Sequence, residues 1–303
     1  MRTMVCVILL IAVSVVQGSG QEVRVKTRTG SFLNDVDIPP AGLRRNPDAV
    51  AVVIGNFQYD NKDVPLVDFA IRDSRAVKDY LVKGLGFQPA NIIYEENASK
   101  AAFERIFGTP ADFKGQLYNY TLQKKPDVFV YYSGHGAPDL ESKQTFFVPS
   151  DCDPNYVRIN GYSLKTFYDN LAKLKVKGVT VVLEACFSGG SHAGGLIKSA
   201  SPSLTLSIEK PVPTVQNINV FSSSASEEIS SWFVEKRHGL FTYYFLEALK
   251  GGADVNKDGK ITMREVKQHI LENVSFVARR YNRSQNPDIT LQDPDKIVLE
   301  YKR

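Results

Sequence analysis

Four short apolar runs, each closed by small or reactive residues, limit what this chain can fold into. They are "AVAVVIGN" (49–56), "DVFVYYSGHG" (127–136), "VTVVLEAC" (179–186) and "NINVFSSSA" (217–225). Each is too short for a helix; the first three are rich in β-branched and aromatic residues and apolar at consecutive rather than alternate positions, while the fourth, with Asn219 between Ile218 and Val220, reads simply as strand. A strand buried on both faces reads as the first three do, as in a parallel sheet covered by helices. Between the runs, "DFAIRDSRAVKDYLVKGLG" spaces Phe69, Ala70, Ala76, Val77, Tyr80 and Leu81 for one helical face and ends in glycines. Further helices are predicted over 99–118, 163–174, 239–252 and about 262–281, and short strands at "NIIYEE" and "TFFVPS". The pattern predicts an α/β fold with a mostly parallel central sheet flanked by helices, and no internal repeat is visible.

With 303 residues, 43% hydrophobic and 23% charged, the chain can bury a sizeable core. Its 37 basic and 33 acidic residues are spread along the sequence, without a basic stripe carrying interleaved aromatics, so composition gives no case for nucleic acid. The opening "MRTMVCVILLIAVSVVQGSG" has an early Arg, an apolar run from Val5 to Val16 and small residues at Gly18, Ser19 and Gly20. It predicts a cleaved signal peptide over 1–20 and a secreted or extracytoplasmic protein. The run falls short of the ~20 apolar residues of a membrane span, so stable insertion is not expected. Residues 21–48, broken by "IPPAG" and "RRNP", read as a leader or linker with Arg44–Arg45 a processing point, and the domain is placed over 49–303. Four Asn-x-Ser/Thr sequons, at Asn97, Asn119, Asn273 and Asn282, suit glycosylation on that route. Loss of the signal leaves Cys152 and Cys186, which suit one disulfide or at least one retained thiol. Nothing in the sequence gives the oligomeric state.

In open parallel sheets, ligands bind beyond the carboxyl ends of the strands. Two of the apolar runs end there in reactive residues, His135 and, fifty-one residues later, Cys186. That interval holds a loop, strand and helix, so neighbouring strands would bring imidazole and thiol to one edge. A thiol nucleophile uses such an imidazole to lose its proton and later to protonate the leaving amine. The flanking glycines leave both side chains unhindered and let the backbone N–H groups of Gly136 and Cys186 approach an oxyanion. The plainer alternative is an inert buried thiol ending a core strand and a Gly-His-Gly turn. His192, His238 and His269 compete for the base role from a loop, a helix entry and a helix interior.

"YYSGHG" followed by "EACFSGG", in order with "VIGNFQYD", "DFAIRDSRAVKDYL", "FFVPSDCDPN", "FSSSASEE" and "GLFTYYFLEALKG", resembles the caspase-like cysteine peptidases over most of residues 49–290. That group contains caspases, metacaspases and bacterial relatives. The resemblance implies a caspase-like three-layer sandwich, endopeptidase action on protein or peptide substrates, and His135 and Cys186 as the catalytic dyad. Glu184 stands where caspases carry Gln and metacaspases carry Asp, and Asp73 matches a further metacaspase Asp; both Asp positions are implicated in accepting Arg or Lys. An acidic pocket pairs with a cationic side chain and repels Asp, so cleavage after Arg or Lys is expected. Legumain-type peptidases, which cut after Asn, also carry Glu-Ala-Cys, which keeps Asp/Asn specificity open. A silent caspase fold acting as a calcium-binding interaction module is a further alternative. Trp232, the single Trp, suits a groove wall or the core equally. Lys198 and Lys210 lie in a long loop, 198–216, where relatives are often processed.

"DVNKDGKITMRE", Asp254 to Glu265, fits a calcium-binding EF-hand loop position by position. Asp254, Asn256 and Asp258 offer side-chain oxygens, Gly259 the turn, and Lys260 its carbonyl. Thr262, directly or through water, and a bidentate Glu265 complete the set. Ca²⁺ is therefore the expected cofactor, as a structural clamp more than a sensor. The alternative is an Asx-rich turn that caps the following helix. Metacaspases often use calcium through other acidic residues, for which Asp151 and Asp153 are candidates.

Overall fold

The computed structural model describes residues 35–302, apart from 123, 189, 192, 193, 196–216, 226, 227 and 229. The proposed signal peptide, residues 21–34, His192, Lys198 and Lys210 lie outside the described residues. The four apolar runs form parallel strands β1 (Val50–Gly55), β3 (Asp127–Ser133), β4 (Gly178–Glu184) and β5 (Ile218–Ser222), with β2 (Ile92–Glu96) at one edge. A three-residue strand, β6 (Asp288–Thr290), closes the other edge antiparallel to β5. The order is β6-β5-β4-β3-β1-β2, so β3 and β4 are neighbours, with Ser133 level with Glu184.

Among the helices that cover the sheet are α1 (Ala70–Asp79), α2 (Lys100–Phe107), α3 (Leu164–Ala172), α4 (Leu240–Glu247) and α5 (Met263–Arg280). Alternate strand residues sort between them. Ala51, Val53, Phe129, Tyr131, Val182 and Phe221 pack with residues of α1, α4 and α5, while Val50, Val52, Val128, Val130, Val181 and Leu183 pack with α2 and α3. Burial of each such Val, Leu or Phe side chain is worth ~1.5–3 kcal/mol, and here both sheet faces contribute, which is why most of these strands read as apolar runs. The fold is the three-layer α/β arrangement expected from the sequence.

Side chains set the helix starts. Ser99 accepts from Ala102 N, Ser163 accepts from Thr166 N, and Thr262 with Glu265 forms a capping box on α5. One predicted helix is two. The 99–118 segment stops at Phe107, turns through Gly108 at φ 86° and Pro110, and restarts as Gln116–Thr121.

Residues 35–48 also differ from a detached leader. Val36 is buried and its carbonyl accepts from Tyr80 Oη at 2.8 Å; Gly42 N donates to Lys83 O, and Leu43 N to Glu300 O at 2.7 Å. This strap belongs to the same compact unit as the sheet. Among the described residues, no helix is long and apolar enough to cross a membrane.

Candidate active site

Because β3 and β4 end level with one another, the residues that follow them leave the sheet at the same edge. His135, Cys186, Glu184, Asp73, Ser230 and Trp232 are among the residues lining one cleft of about 410 Å³. Gly136 is why the turns after the two strands can close. A Cβ placed there would lie 2.7 Å from the Cys186 carbonyl oxygen and 2.5 Å from the Phe187 ring, so a side chain would push them apart. The backbones of Gly136 and Cys186 are thus held side by side.

His135 is buried against Tyr59, ring centroids 5.0 Å apart. Its backbone is fixed at both ends: the N–H donates to Tyr59 Oη at 2.9 Å and the carbonyl accepts from Tyr132 Oη at 2.7 Å. The ring's Nε2 is 2.7 Å from the Pro65 carbonyl. A carbonyl only accepts, so Nε2 carries the hydrogen and Nδ1 keeps the lone pair. Burial lowers the imidazole pKa to about 4, opposed by the Pro65 carbonyl. At neutral pH the ring is uncharged and able to take a proton through Nδ1.

Cys186 is almost fully buried, and Ser230 N–H donates to its Sγ. No disulfide joins it to Cys152. Cys152 is completely buried beside the Asn160 amide, outside the cleft, and burial pushes its thiol up to about 12. Both thiols are buried, but Cys152 lies outside the cleft whereas Cys186 lines it.

Glu184, the last residue of β4, has unequal oxygens. Oε2 accepts from Thr242 N at 2.7 Å and Thr242 Oγ1 at 3.0 Å, while Oε1 is buried with no hydrogen-bond partner among the described residues. Gly239 makes room for it: a Cβ there would lie 2.4 Å from Oε2. Burial, then the charge of Asp73, raises Glu184 to about 8. Asp73 sits in the first turn of α1 and is buried, with Oδ1 2.5 Å from His238 Nδ1 and Oδ2 accepting from Gly239 N at 2.9 Å. Both acidic residues singled out from the sequence thus reach the same cleft.

Residues 48–298 match the Caspase domain family, a family of cysteine-type peptidases. The chain belongs to that family. Among solved structures, caspase-1 from Spodoptera frugiperda is similar at 14% identity with a TM-score of 0.54, over 84% of this chain and 90% of that one. A protein from Geobacter sulfurreducens is similar at 15% identity with a TM-score of 0.55, over 84% of this chain and 100% of that one. These likenesses concern the caspase fold. No curated protein sequence matches the chain.

In this caspase-domain protein, several groups at the cleft were not legible beforehand. His238, read as a rival base, lies fully buried behind Asp73 and outside the cleft lining. Burial opposes its charge, but hydrogen bonds and charge from Asp37 and Asp73 lift it to about 9. Asp37 comes from the strap. Gln285 donates to Ser223 O at 2.9 Å and accepts from Ser231 N at 2.8 Å, fixing the segment that carries Ser230 and Trp232. Trp232 lines the cleft, edge-on to Phe69 at 6.2 Å. His269, the third rival base, lies 3.0 Å from Glu247, away from the cleft.

The 254–265 loop is tightly folded. Asp254 accepts from Asp258 N and Gly259 N at 3.0 Å each and from Tyr301 Oη at 2.9 Å. Asn256 Oδ1 accepts from Asp258 N at 2.9 Å, and Asp258 Oδ1 accepts from Lys260 N at 2.8 Å. Gly259 takes φ 79°, and Lys260–Thr262 pairs with strand Ile297–Glu300. Glu265 Oε2 faces Thr262, accepting from its N and Oγ1 at 2.8 Å each. Among the described residues, no three His, Cys, Asp or Glu side chains converge as a metal cage. These hydrogen bonds are the ones an Asx-rich capping turn requires; a bidentate Glu265 needs its carboxylate released from Thr262. Asp151 and Asp153 serve locally as well, accepting from Lys100 N and Asn155 N.

Proposed function

We propose that this caspase-domain protein is a secreted cysteine endopeptidase that cleaves after Arg or Lys. The observation that carries the reading is the convergence of His135 and Cys186, from neighbouring strand ends, on a cleft whose floor presents the unpartnered Oε1 of Glu184. His135 Nδ1 takes the Cys186 proton, and the sulfur attacks the scissile carbonyl carbon. The resulting oxyanion is received by the backbone N–H groups of Gly136 and Cys186. The imidazolium then gives its proton to the leaving amine as the C–N bond breaks, leaving a thioester. Water, losing a proton to His135, cleaves the thioester and restores the thiol. A neutral His135 at rest suits this cycle, because it must begin as a base.

Glu184 and Asp73 are the substrate-binding carboxylates in this reading, and an arginine or lysine head group satisfies the buried Oε1 that is otherwise costly. Calcium belongs to the same reading: Asp254, Asn256, Asp258, the Lys260 carbonyl, Thr262 and Glu265 would hold Ca²⁺, which clamps the start of α5 once Glu265 leaves its capping position. The apolar run from Val5 to Val16 supports export. Fluorogenic peptides ending in Arg, Lys, Asp or Asn, assayed with calcium or chelator against Cys186→Ala, test the proposal. Turnover after Arg and Lys that Cys186→Ala abolishes is expected. Turnover after Asp or Asn alone refutes the pocket assignment, and no turnover on any peptide points to the silent interaction module.

A further inference from the structure

The acidic floor of the cleft is backed by more charge than a two-carboxylate pocket needs. Behind Asp73 lies His238, whose second ring nitrogen, Nε2, is 3.2 Å from Asp37 Oδ1; Asp37 in turn pairs with Arg72. Arg72, Asp37, His238 and Asp73 therefore alternate in sign through the interior, from α1 through the strap to the helix entry and back to α1. Wherever the shared proton sits between His238 Nδ1 and Asp73 Oδ1, these four groups together carry no net charge. Both Asp73 oxygens are occupied, by His238 and by Gly239 N. Glu184 differs: Thr242, itself 2.8 Å from Tyr131 Oη, holds only Oε2, and no described residue holds Oε1. The other groups facing this cluster are the Tyr243 ring, 6.2 Å from His238, and Asp68 and His135 across the cleft.

We propose that His238 is a specificity-determining positioning residue: by neutralising Asp73 from behind, it leaves Glu184 as the single counter-charge for a basic side chain. The inference rests on the cation-accepting pocket proposed above and refines it from two working carboxylates to one. A floor with one charge accepts a monocation and, when Glu184 holds its proton, tolerates a neutral polar group of the same shape. A floor with two charges would bind cations more tightly and discriminate more strongly against neutral isosteres. His238→Asn converts the first into the second. The asparagine amide nitrogen falls near the position of Nδ1, so a hydrogen bond to Asp73 can persist while the positive charge is lost.

The test uses n-butylguanidinium and its neutral isostere n-butylurea, titrated between pH 6 and 9. Binding is read from the fluorescence of Trp232, the only tryptophan of the chain, which lines the cleft. At pH 8, where wild-type His238 keeps its proton and Glu184 begins to ionise, His238→Asn is expected to bind butylguanidinium about tenfold more tightly than wild type, the effect of one added charge in a partly screened site. Butylurea binding should stay level, and the difference should shrink toward pH 6 as the carboxyls take up protons. The double variant Asp73→Asn/His238→Asn should return guanidinium affinity to the wild-type value. Because it leaves no new charge at Asp73, it carries the test even if the single variant fails to fold. Equal guanidinium affinity in wild type and His238→Asn, a double variant that loses guanidinium selectivity, or no guanidinium binding in any form overturns the proposal. Peptide kinetics on the same proteins separate the two claims. Selectivity that follows His238 without peptide turnover refutes the peptidase reading alone, whereas turnover after Arg with unchanged selectivity refutes the role of His238 alone. A merely structural role would lower kcat/KM for all peptides together instead of lowering KM for basic ones.

Discussion

Replacing Glu184 with glutamine makes a demand on stability and a demand on binding that pull in different directions. The change keeps the side chain's shape and an oxygen to accept from Thr242, but removes the acid. In the folded protein Glu184 titrates at about 8 rather than at its ordinary 4.5, first because it is buried and second because Asp73 lies nearby. Between those values the folded chain keeps a proton that the unfolded chain has released. Stability therefore declines as pH rises through that window, by about 5 kcal/mol in all. Glutamine does not titrate, so Glu184→Gln should lose this decline, gain on the wild type from pH 5 to about pH 8, and level off above it. Denaturant midpoints at pH 5, 7 and 9 measure it. His238, raised to about 9, gives a decline of the same sign between 6.5 and 9. It is present in both proteins, so the difference between their curves isolates Glu184. Binding should move the other way. Loss of one charge-assisted hydrogen bond costs about 1.5–3 kcal/mol, raising KM for an Arg peptide at pH 9 by roughly 10- to 100-fold. Parallel stability curves would refute the buried acid, and an unchanged KM would refute the pocket.

Further outcomes follow from other contacts. Cys186→Ala should abolish turnover with little loss of stability, whereas Cys152→Ala should leave kcat intact, since that thiol lies outside the cleft; peptide assays and thermal melts separate the two. Gly136→Ala forces a Cβ to within 2.7 Å of the Cys186 carbonyl, so kcat/KM should fall at least ~100-fold with a stability loss of about 1–3 kcal/mol. His135 resists protonation until about pH 4, so acidification from 6.5 toward 4 should destabilise wild type by about 3 kcal/mol more than His135→Gln, read from denaturant midpoints. Calcium at a hundred times its dissociation constant should add about 2.7 kcal/mol of stability in melts with and without chelator. In Glu265→Gln that calcium increment should vanish, while stability without calcium should hold, because the glutamine oxygen still accepts from Thr262 in the capping box; an increment surviving in Glu265→Gln refutes the ligand set.

The central strands were legible because burial on both faces leaves an unbroken apolar run, and the helices flanking them because only one face is apolar. Cleft residues that terminate those strands, His135 and Cys186, inherited that legibility. β6 did not show, since "DIT" is three residues long and its pairing with β5 depends on distant sequence. The segment after Phe107 misled because its apolar residues keep helical spacing across a break made by Gly108 and Pro110. Glu184 and Asp73 could be picked out by family pattern, but not their inequality. That depends on His238 meeting Asp73 across 165 residues and on the missing Cβ of Gly239, neither of which has a local signature. His238 at a helix entry looks like any polar residue there, and Asp37 looked like linker. The 254–265 loop was legible as a pattern of oxygens; which partner each oxygen takes is decided by Tyr301 and Thr262.

The strap has a practical consequence for anyone shortening this protein. The family match begins at residue 48, and a chain begun there would look complete by that measure. It would nonetheless lack Asp37, so the buried His238 would face Arg72 with one flanking carboxylate gone, and Tyr80 would lose its acceptor at Val36. A cut after Arg45, exposed on the surface, would sever the same segment from the sheet while leaving His135 and Cys186 in place. Trimming at the amino terminus is therefore an edit to the floor of the cleft, made from the opposite side of the wall.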